Sequence, residues 1–234
     1  TLFVGGGLNI ASSSVTTLIS NKTINTAGAT FSVDGTLYCG TNILSGTSIF
    51  SLSAAGTLGM GSPQGITTLA SGAIGNIQST GGRSYNTAAN YIYNSSAANQ
   101  VTGNGLPATV TGFLTISNTA GAGNNTVTLT TNNTTVTTFN LAAGLFEAGT
   151  SQFLKIAATG TVNGSGGNQG QSAAAGTIWF VTDGTINPGT SLALTNVLIN
   201  GGVIMGSANT TINGTFTIGS GGYVNGGTAP TYSS

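Results

Sequence analysis

The chain has 234 residues, and more than half of them are threonine (41), glycine (39), serine (24) or asparagine (24). Charged residues make up 3%, where an ordinary soluble domain has about 25%. There is no histidine and only one cysteine, Cys39. This inventory excludes most catalytic chemistry and most metal sites, and it offers no basic patch for nucleic acid. We therefore expect a protein without enzyme activity, cofactor or bound metal.

Disorder and membrane insertion are both disfavoured by the hydropathy of the chain. Disorder is typical of low hydrophobicity and high net charge, but here the mean hydropathy is +0.26 and the formal net charge is zero. No stretch approaches the ~18 apolar residues of a spanning helix. So neutral a surface would be a solubility liability inside a cell. We expect an extracellular or cell-surface protein that does not span the membrane.

Short segments of alternating apolar and polar residues follow one another along the whole chain, separated by Gly, Asn or Ser. Clear examples are residues 30–33, 48–52, 126–130 and 215–218. Alternation with a period of two predicts β-strands, and helical spacing is nearly absent. The sequence therefore predicts an all-β protein.

One spacing of apolar residues and glycine recurs along the chain. Two alternating apolar residues are followed by a glycine and then by a further apolar residue. The full form occurs at Phe50-Leu52-Gly56-Leu58, Leu154-Ile156-Gly160-Val162, Ile178-Phe180-Gly184-Ile186 and Phe216-Ile218-Gly222-Val224, and shortened forms occur at Phe31-Val33-Gly35-Leu37 and Phe139-Leu141-Gly144-Phe146. Where two such units are adjacent, the distance between their starting residues matches the length of one coil of a solenoid.

This repeat predicts a right-handed parallel β-helix, a solenoid that occupies residues 1–234 as a single domain. At ~20 residues per coil the chain would form about eleven or twelve coils. A β-sandwich with coincidental spacing is the alternative. The glycines are expected to turn the backbone with positive φ, asparagines at the turns to stack on asparagines of the next coil, and threonines to cover the outer face.

The repeat also predicts which side chains point inward. The expected core comprises Phe50, Leu52, Leu58, Leu154, Ile156, Phe180, Ile186, Phe216 and Ile218. Lys22, Arg83 and Lys155 are expected at the surface, because an unpaired charge is costly in so apolar an interior.

The candidate glycan contacts are Arg83, Tyr85, Tyr91 and Tyr93, which lie close together in the sequence. Aromatic rings beside an arginine can stack on a sugar or form cation–π pairs. The ordinary interpretation is that these tyrosines occupy outward strand positions of a β-helix.

Acidic residues are too few for a convincing active site. Glu147 and Asp183 are separated in sequence by about two coils, which would bring them ~10 Å apart on one face, near the spacing of an inverting glycosidase. Lone solvated charges are the simpler interpretation, with Lys155 at most a weak partner of Glu147. Asp34-Gly35 and Asp183-Gly184 are expected to mark turns.

Ice binding would need one Thr-x-Thr motif per coil, in register. The candidates are Thr109/Thr111, Thr126/Thr128, Thr135/Thr137 and Thr215/Thr217. Only the first step, from Thr109 to Thr126, is close to one coil in length, whereas the next step is too short and the last is far too long. The sequence therefore predicts no regular ice-binding face.

Three runs between Gly35 and residue 118 carry a resemblance to a known class of repeat. They read GTLYCGTNILSGTSIFSLSAAGTLGMGSPQGI, GNIQSTGGRSYNTAANYIYN and QVTGNGLPATVTGFLTISN. They resemble repeat regions of very large secreted surface proteins of the Bacteroidetes, which look like β-helical adhesin segments. The resemblance implies an extracellular structural or adhesive role, as a stalk or filament component, and implies no catalytic residue.

The expected partners are other coils. A solenoid exposes strand edges at its ends unless they are capped, and Thr1-Leu2-Phe3-Val4 and Tyr223-Val224-Asn225 both follow the strand pattern. We expect end-to-end or lateral contact with a second copy, or contact with neighbouring repeats of a longer polypeptide. Ice or a surface glycan is the alternative ligand.

Overall fold

A computed structural model describes residues 7–165, 169–172, 176–226 and 231–232, and within them the protein is all-β. A single 3-10 turn, η1, spans Leu69–Ser71. The strands are β1 (Leu8–Ile10), β2 (Val15–Thr17), β3 (Lys22–Thr23), β4 (Thr30–Val33), β5 (Thr36–Tyr38), β6 (Leu44–Gly46), β7 (Ile49–Leu52), β8 (Thr57–Met60), β9 (Ile77–Ser79), β10 (Gly82–Tyr85), β11 (Asn90–Tyr93), β12 (Gln100–Val101), β13 (Thr109–Ser117), β14 (Thr126–Thr128), β15 (Thr134–Glu147), β16 (Phe153–Gly164), β17 (Gln169–Gln171), β18 (Thr177–Phe180), β19 (Gly184–Asn187), β20 (Ser191–Leu194), β21 (Val197–Ile199), β22 (Gly202–Met205), β23 (Asn209–Ile212), β24 (Phe216–Ile218), β25 (Tyr223–Asn225) and β26 (Thr231–Tyr232).

The strands stack as a parallel β-solenoid with three faces. The first face includes β4, β7, β18 and β21, the second includes β5, β8, β19 and β22, and the third includes β14, β17, β20 and β23. Every strand pairing is parallel and joins strands of neighbouring coils. The prediction of a parallel solenoid is confirmed.

The solenoid has about nine turns, so the prediction of eleven or twelve coils was too high. The coils in the middle of the solenoid are longer than the prediction assumed, since the register neighbours Asn140, Asn163 and Asn187 are separated by 23 and 24 residues. A long excursion between β8 and β9, residues 61–76, lengthens one coil further.

The apolar repeat sets the register between coils. Phe31 pairs with Phe50, and Leu154 and Ile156 pair with Ile178 and Phe180. The shortened unit at Phe139 is offset, because its first strand residues lie on the second face, where Phe139 pairs with Val162. The repeat in the sequence thus predicts correctly that its apolar residues stack between coils, but it does not specify on which face of the solenoid each unit begins.

The predicted core is largely confirmed. Seven of its nine members are buried, namely Phe50, Leu52, Leu58, Leu154, Ile156, Phe180 and Ile186. Phe216 is only partly buried, and Ile218 is 51% exposed, so that prediction was wrong for Ile218. Both lie in β24, which pairs only with β21 among the described strands, so an outer coil that would cover them is not among the described residues. Lys22 is exposed, and Arg83 and Lys155 are partly exposed.

Several glycines of the repeat are required for close approach rather than for positive φ. Gly144 has a φ of 77°, but Gly56 and Gly184 are not among the positive-φ residues. A Cβ on Gly56 would collide with the carbonyl oxygen of Val33, and one on Gly184 would lie 2.5 Å from the Phe180 ring. The positive-φ prediction was therefore wrong for these two positions, where a side chain has no room between coils.

Polar side chains bind the coils to one another inside and outside the core. On the outer surface, Asn163 donates to the Asn140 side chain (2.8 Å) and Asn187 donates to the Asn163 side chain (2.9 Å). Stacking of asparagines between coils is confirmed, although on a strand rather than in a turn. At the corners, the buried amides of Asn76 and Gln100 hold turn backbone through two or more hydrogen bonds each.

Two segments bear on the prediction of uncapped ends, Thr1-Leu2-Phe3-Val4 and residues 228–230, and both lie outside the described residues. No helix among the described residues has the length and apolar character needed to cross a membrane.

Candidate functional site

The four predicted glycan-contact residues do not form a surface patch. Tyr91 and Tyr93 are fully buried in the core, where they pair in register with Leu58 and Met60. Their hydroxyls donate to the backbone oxygens of Asn86 (2.6 Å) and Thr102 (2.7 Å). The prediction was wrong for both, as was the ordinary interpretation of outward tyrosines, because stacking turns this side of β11 inward.

Arg83 binds protein backbone rather than an open surface. Its guanidinium donates to the carbonyl oxygens of Ser79 (3.0 Å) and Gly72 (2.7 Å) and to the hydroxyl of Thr67 (2.8 Å), with longer contacts to two further carbonyls of the same excursion. The Tyr85 hydroxyl also donates to the Thr67 carbonyl (3.2 Å). Burial lowers the pKa of the Arg83 guanidinium, whereas the nearby Tyr85 raises it. Arg83 thus fixes the 61–76 excursion against the solenoid wall.

Removing the Arg83 guanidinium should destabilise the 61–76 excursion and leave the rest of the solenoid nearly unchanged. For Arg83→Met we expect the local opening free energy of residues 67–74 to fall by about 2 kcal/mol, less than the sum of its charge-assisted bonds because the group is partly solvated. Amide hydrogen exchange there should accelerate by roughly 30-fold. Lys22→Met is the control, since Lys22 is exposed and its ammonium donates to the hydroxyl of Ser20 (2.8 Å) rather than to the excursion. Unchanged amide exchange in Arg83→Met would contradict the role of Arg83 in fixing the excursion.

The acidic residues do not assemble into a site. Glu147 pairs with Thr128 on the third face, whereas Asp183 lies in the bend between β18 and β19. The arrangement on a single face was therefore wrong. Asp34 and Asp183 do mark bends, and the Asp183 carboxylate accepts from the Gly202 amide (2.6 Å).

Neither a metal cluster nor an accessible thiol provides chemistry in the described part of the chain. Among the described residues, no three His, Cys, Asp or Glu side chains come together to hold a metal ion. Cys39 is a buried free cysteine, and its burial raises the pKa of the thiol to about 12. A thiol so hard to ionise is a poor nucleophile.

The Thr-x-Thr candidates do not build a continuous array. Thr109 and Thr135 are register neighbours on the first face, but Lys155 pairs next to Thr135, followed by Trp179. Thr126 lies on the third face. The array therefore ends after two coils.

A different and more regular motif occupies the second face. Thr138, Thr161 and Thr185 are register neighbours on three successive coils, and each is followed two residues later by a member of the asparagine column, Asn140, Asn163 and Asn187. A search for Thr-x-Thr missed it because the second residue is asparagine. The amides bond to one another, so this column stabilises stacking.

The first face carries an unusual outward cluster, which sequence reasoning missed. Phe153, Lys155, Trp179 and Leu198 all lie at partly exposed outward positions of β16, β18 and β21. We call these four residues the aromatic patch. The Phe153 and Trp179 rings meet edge to face at 5.5 Å, and the Lys155 ammonium lies 4.8 Å from the Trp179 ring centroid. The signal was available, since Trp179 is the only tryptophan in the chain.

A shallow groove of about 360 Å³ adjoins the aromatic patch. Phe153 and Leu198 line it on the apolar side, and Thr177, Thr215 and Thr217 contribute hydroxyls. Within the described part of the chain, no charged side chain lines this groove. It has the mixed apolar and neutral polar character of a small-ligand site.

The first described coil presents a second concave feature, an apolar cleft of about 640 Å³ at the end of the solenoid. Its lining includes inward side chains of the first two coils, among them Leu8, Ile10, Leu18, Ile24, Phe31 and Leu44. Val15 and Ile19 of the same coil are 69% and 87% exposed. Apart from Leu8, these lining side chains are buried, so the exposed apolar surface at this end belongs mainly to Val15 and Ile19.

The fold defines a class of architecture, the parallel β-solenoid, without pointing to a family. No protein-family model matches the chain, no curated protein matches it in sequence, and no solved structure matches it. Its function therefore has to be argued from its own surfaces.

Proposed function

We propose that this protein is an extracellular structural and adhesive solenoid that extends by end-to-end stacking with further coils of the same kind, as part of a stalk or filament. The observation that carries the proposal is the unpaired strand edge at each end of the described solenoid. Among the described strands, β1, β2 and β3 of the first coil each pair on one side only. In the last coil, β24 and β25 likewise pair only with β21 and β22 of the described strands.

Among the described residues, no strand occupies the outer edge of β1. The Ile10 carbonyl accepts from the Asp34 and Gly35 amides (2.9 Å each), so the backbone N–H and C=O of Ile10 point toward β4. Because backbone groups alternate in direction along a strand, the N–H and C=O of Asn9 point away from β4. The Tyr223 amide donates to the Gly201 carbonyl (3.1 Å), so by the same alternation the groups of Val224 point outward at the opposite end.

Apolar surface accompanies both edges. The cleft at the first coil, with Val15 and Ile19 beside it, lies at one end. Ile218 (51% exposed) and Tyr223 (57% exposed) lie at the other. Stacking one end on the other would repeat the contact that each interior coil already makes. The burial of apolar surface would stabilise this contact by about 25 cal/mol for each Å² buried.

The charge distribution favours association and provides no catalytic machinery. The formal net charge is zero, so long-range repulsion does not keep copies apart. Glu147 lies on the third face, whereas Asp34 and Asp183 lie in bends between the first and second faces of coils that are far apart along the solenoid. We therefore include no enzyme activity in the proposal. The resemblance to Bacteroidetes surface repeats supports the extracellular assignment.

Light scattering across a concentration series tests the stacking. We expect the mass of the intact 234-residue chain to rise above 22.8 kDa with concentration. Asn9→Pro and Val15→Lys should each shift the protein toward the monomer, since proline and lysine are the residues that block edge pairing. Ser96→Lys, which adds the same charge in an exposed turn far from both ends, should associate as the unchanged protein does. The mass of a monomer at every concentration would overturn the proposal.

A further inference from the structure

The aromatic patch interrupts a column of outward threonines. Its column on the first face runs Thr135, Lys155, Trp179, Leu198 and Thr217, so two threonines bracket three residues of another kind. Outward threonine suits an exposed strand without adding charge. Fold stability alone gives no reason to place the only tryptophan of the chain and one of its few cations here.

The patch is built at a cost to the isolated chain. The indole N–H of Trp179 is covered by protein and has no hydrogen-bond partner among the residues that the structure describes. An unpaired buried donor costs about 1–3 kcal/mol. Edge-to-face contact with Phe153 and the cation–π contact with Lys155 recover part of this and hold both rings in place. The result is a rigid aromatic surface on a rigid sheet.

The groove beside the patch provides the polar half of a binding site. Phe153 belongs to both the patch and the groove, and Leu198, the register neighbour of Trp179, also belongs to both. Thr177, Thr215 and Thr217 line this groove, and each hydroxyl can both donate and accept a hydrogen bond. Apolar rings beside neutral hydroxyls match a ligand with alternating C–H and O–H surfaces.

The charge of the site selects among such ligands. Among the described residues Lys155 forms no ion pair, and no acidic side chain lines the groove. An anionic ligand therefore gains a charge-assisted contact that a neutral one lacks. The patch of four residues is too small for a stable protein interface, which takes about 20–30 residues a side.

We infer that the aromatic patch and its groove bind an acidic carbohydrate chain, one whose sugar rings pack on Phe153 and Trp179 while its carboxylates meet Lys155. This deepens the adhesive half of the proposed function and rests on it. The variants that test stacking, Asn9→Pro and Val15→Lys, lie at the first coil, whereas those that test ligand binding lie in the aromatic patch, so the two ideas fail separately.

The single tryptophan makes the test specific, because intrinsic tryptophan fluorescence reports only on Trp179. Titration with an oligogalacturonate should change the fluorescence saturably, and a maltooligosaccharide of equal length should bind at least about fivefold more weakly. Lys155→Gln should weaken oligogalacturonate binding about fivefold and remove its salt dependence. Phe153→Ala should weaken it about tenfold. Lys22→Gln, a cation removed at the first coil, is the matched control and should bind unchanged.

Because Trp179→Ala lacks the fluorescent reporter, its binding of oligogalacturonate is measured by calorimetry. Circular dichroism verifies that each outward variant keeps its fold. Absence of saturable binding to the unchanged protein would overturn the inference. Equal affinity for the neutral and acidic chains, or loss of binding in Lys22→Gln to the same extent as in Lys155→Gln, would also overturn it.

Discussion

Phe146→Ala should lower the free energy of unfolding by about 3–5 kcal/mol, the usual cost of truncating a fully buried aromatic residue. Phe146 is fully buried on the third face, and its ring packs edge to face against Phe139 with centroids 4.8 Å apart. The two rings fill the interior between the second and third faces at this level. Their neighbours belong to stacked strands that cannot collapse into the space, so the cavity should persist.

Phe113→Ala is the matched control for this experiment. Phe113 is 49% exposed on the outer surface of β13, so its truncation should cost less than about 1 kcal/mol. Denaturant unfolding of both variants measures the difference. Phe146→Leu, which keeps most of the volume, should recover stability to within about 1.5 kcal/mol of the unchanged protein. Equal losses for Phe146→Ala and Phe113→Ala would contradict the assignment of the core.

A solenoid should respond to the core cavity locally as well as globally. Each coil contacts only its neighbours, so stability is approximately a sum of coil and interface contributions. Hydrogen exchange in Phe146→Ala should therefore increase most in β14, β15 and β17, whose strands pair at the position of Phe146. A smaller slope of the unfolding free energy against denaturant concentration would show that unfolding is no longer cooperative across the coil that contains the cavity.

Asn76→Ala should destabilise the protein by about 3 kcal/mol, because it removes three hydrogen bonds and deprives the Asn42 carbonyl and the buried Ser62 amide of their side-chain partner. The Asn76 amide nitrogen donates to the carbonyls of Gly40 (2.8 Å) and Asn42 (2.7 Å), and its oxygen accepts from the Ser62 amide (2.9 Å). The side chain is fully buried. It joins two turns of neighbouring coils where no strand pairing is available among the described residues.

Asn76→Asp gives a second test of the role of Asn76, because its free energy of unfolding should depend on pH. A carboxylate would place its acceptors against the Gly40 and Asn42 carbonyls, so burial and these dipoles should raise its pKa in the folded state above the ordinary value of about 3.9. The variant should therefore be most stable below that ordinary value, where the protonated acid donates once. It should lose stability as the pH rises from there through the raised pKa of the folded state.

Asn99→Ala is the control for the corner amides. Asn99 bonds to the Gly123 carbonyl (3.1 Å) and the Thr126 amide (2.8 Å), but these bonds lie at the exposed surface, so water replaces what is lost. Its truncation should cost about 1 kcal/mol or less. Denaturant unfolding at several pH values measures all three variants. A pH-independent Asn76→Asp, or an Asn76→Ala that is as stable as Asn99→Ala, would contradict the role of Asn76.

The amino-acid sequence was sufficient to predict a parallel solenoid and most of the apolar residues that stack inside it. Alternation with a period of two, repeated with a glycine at each coil, is a local property, and Phe31, Phe50, Leu154 and Ile178 lie where it predicts. Composition likewise indicated an outer surface of threonine and asparagine. These features follow from nearest-neighbour chemistry along one coil.

The stacking of coils in three dimensions was needed to choose which side of an ambiguous strand points inward. In β11, Tyr91 and Tyr93 alternate with Ile92, so both sides carry apolar groups and the period alone cannot choose between them. Register with β8 chooses, since Tyr91 pairs with Leu58 and Tyr93 with Met60. The same stacking assembled the aromatic patch, because Lys155 and Trp179 are distant in sequence and direct neighbours across coils. Contacts of this kind depend on the length of every intervening turn, and those lengths vary from coil to coil.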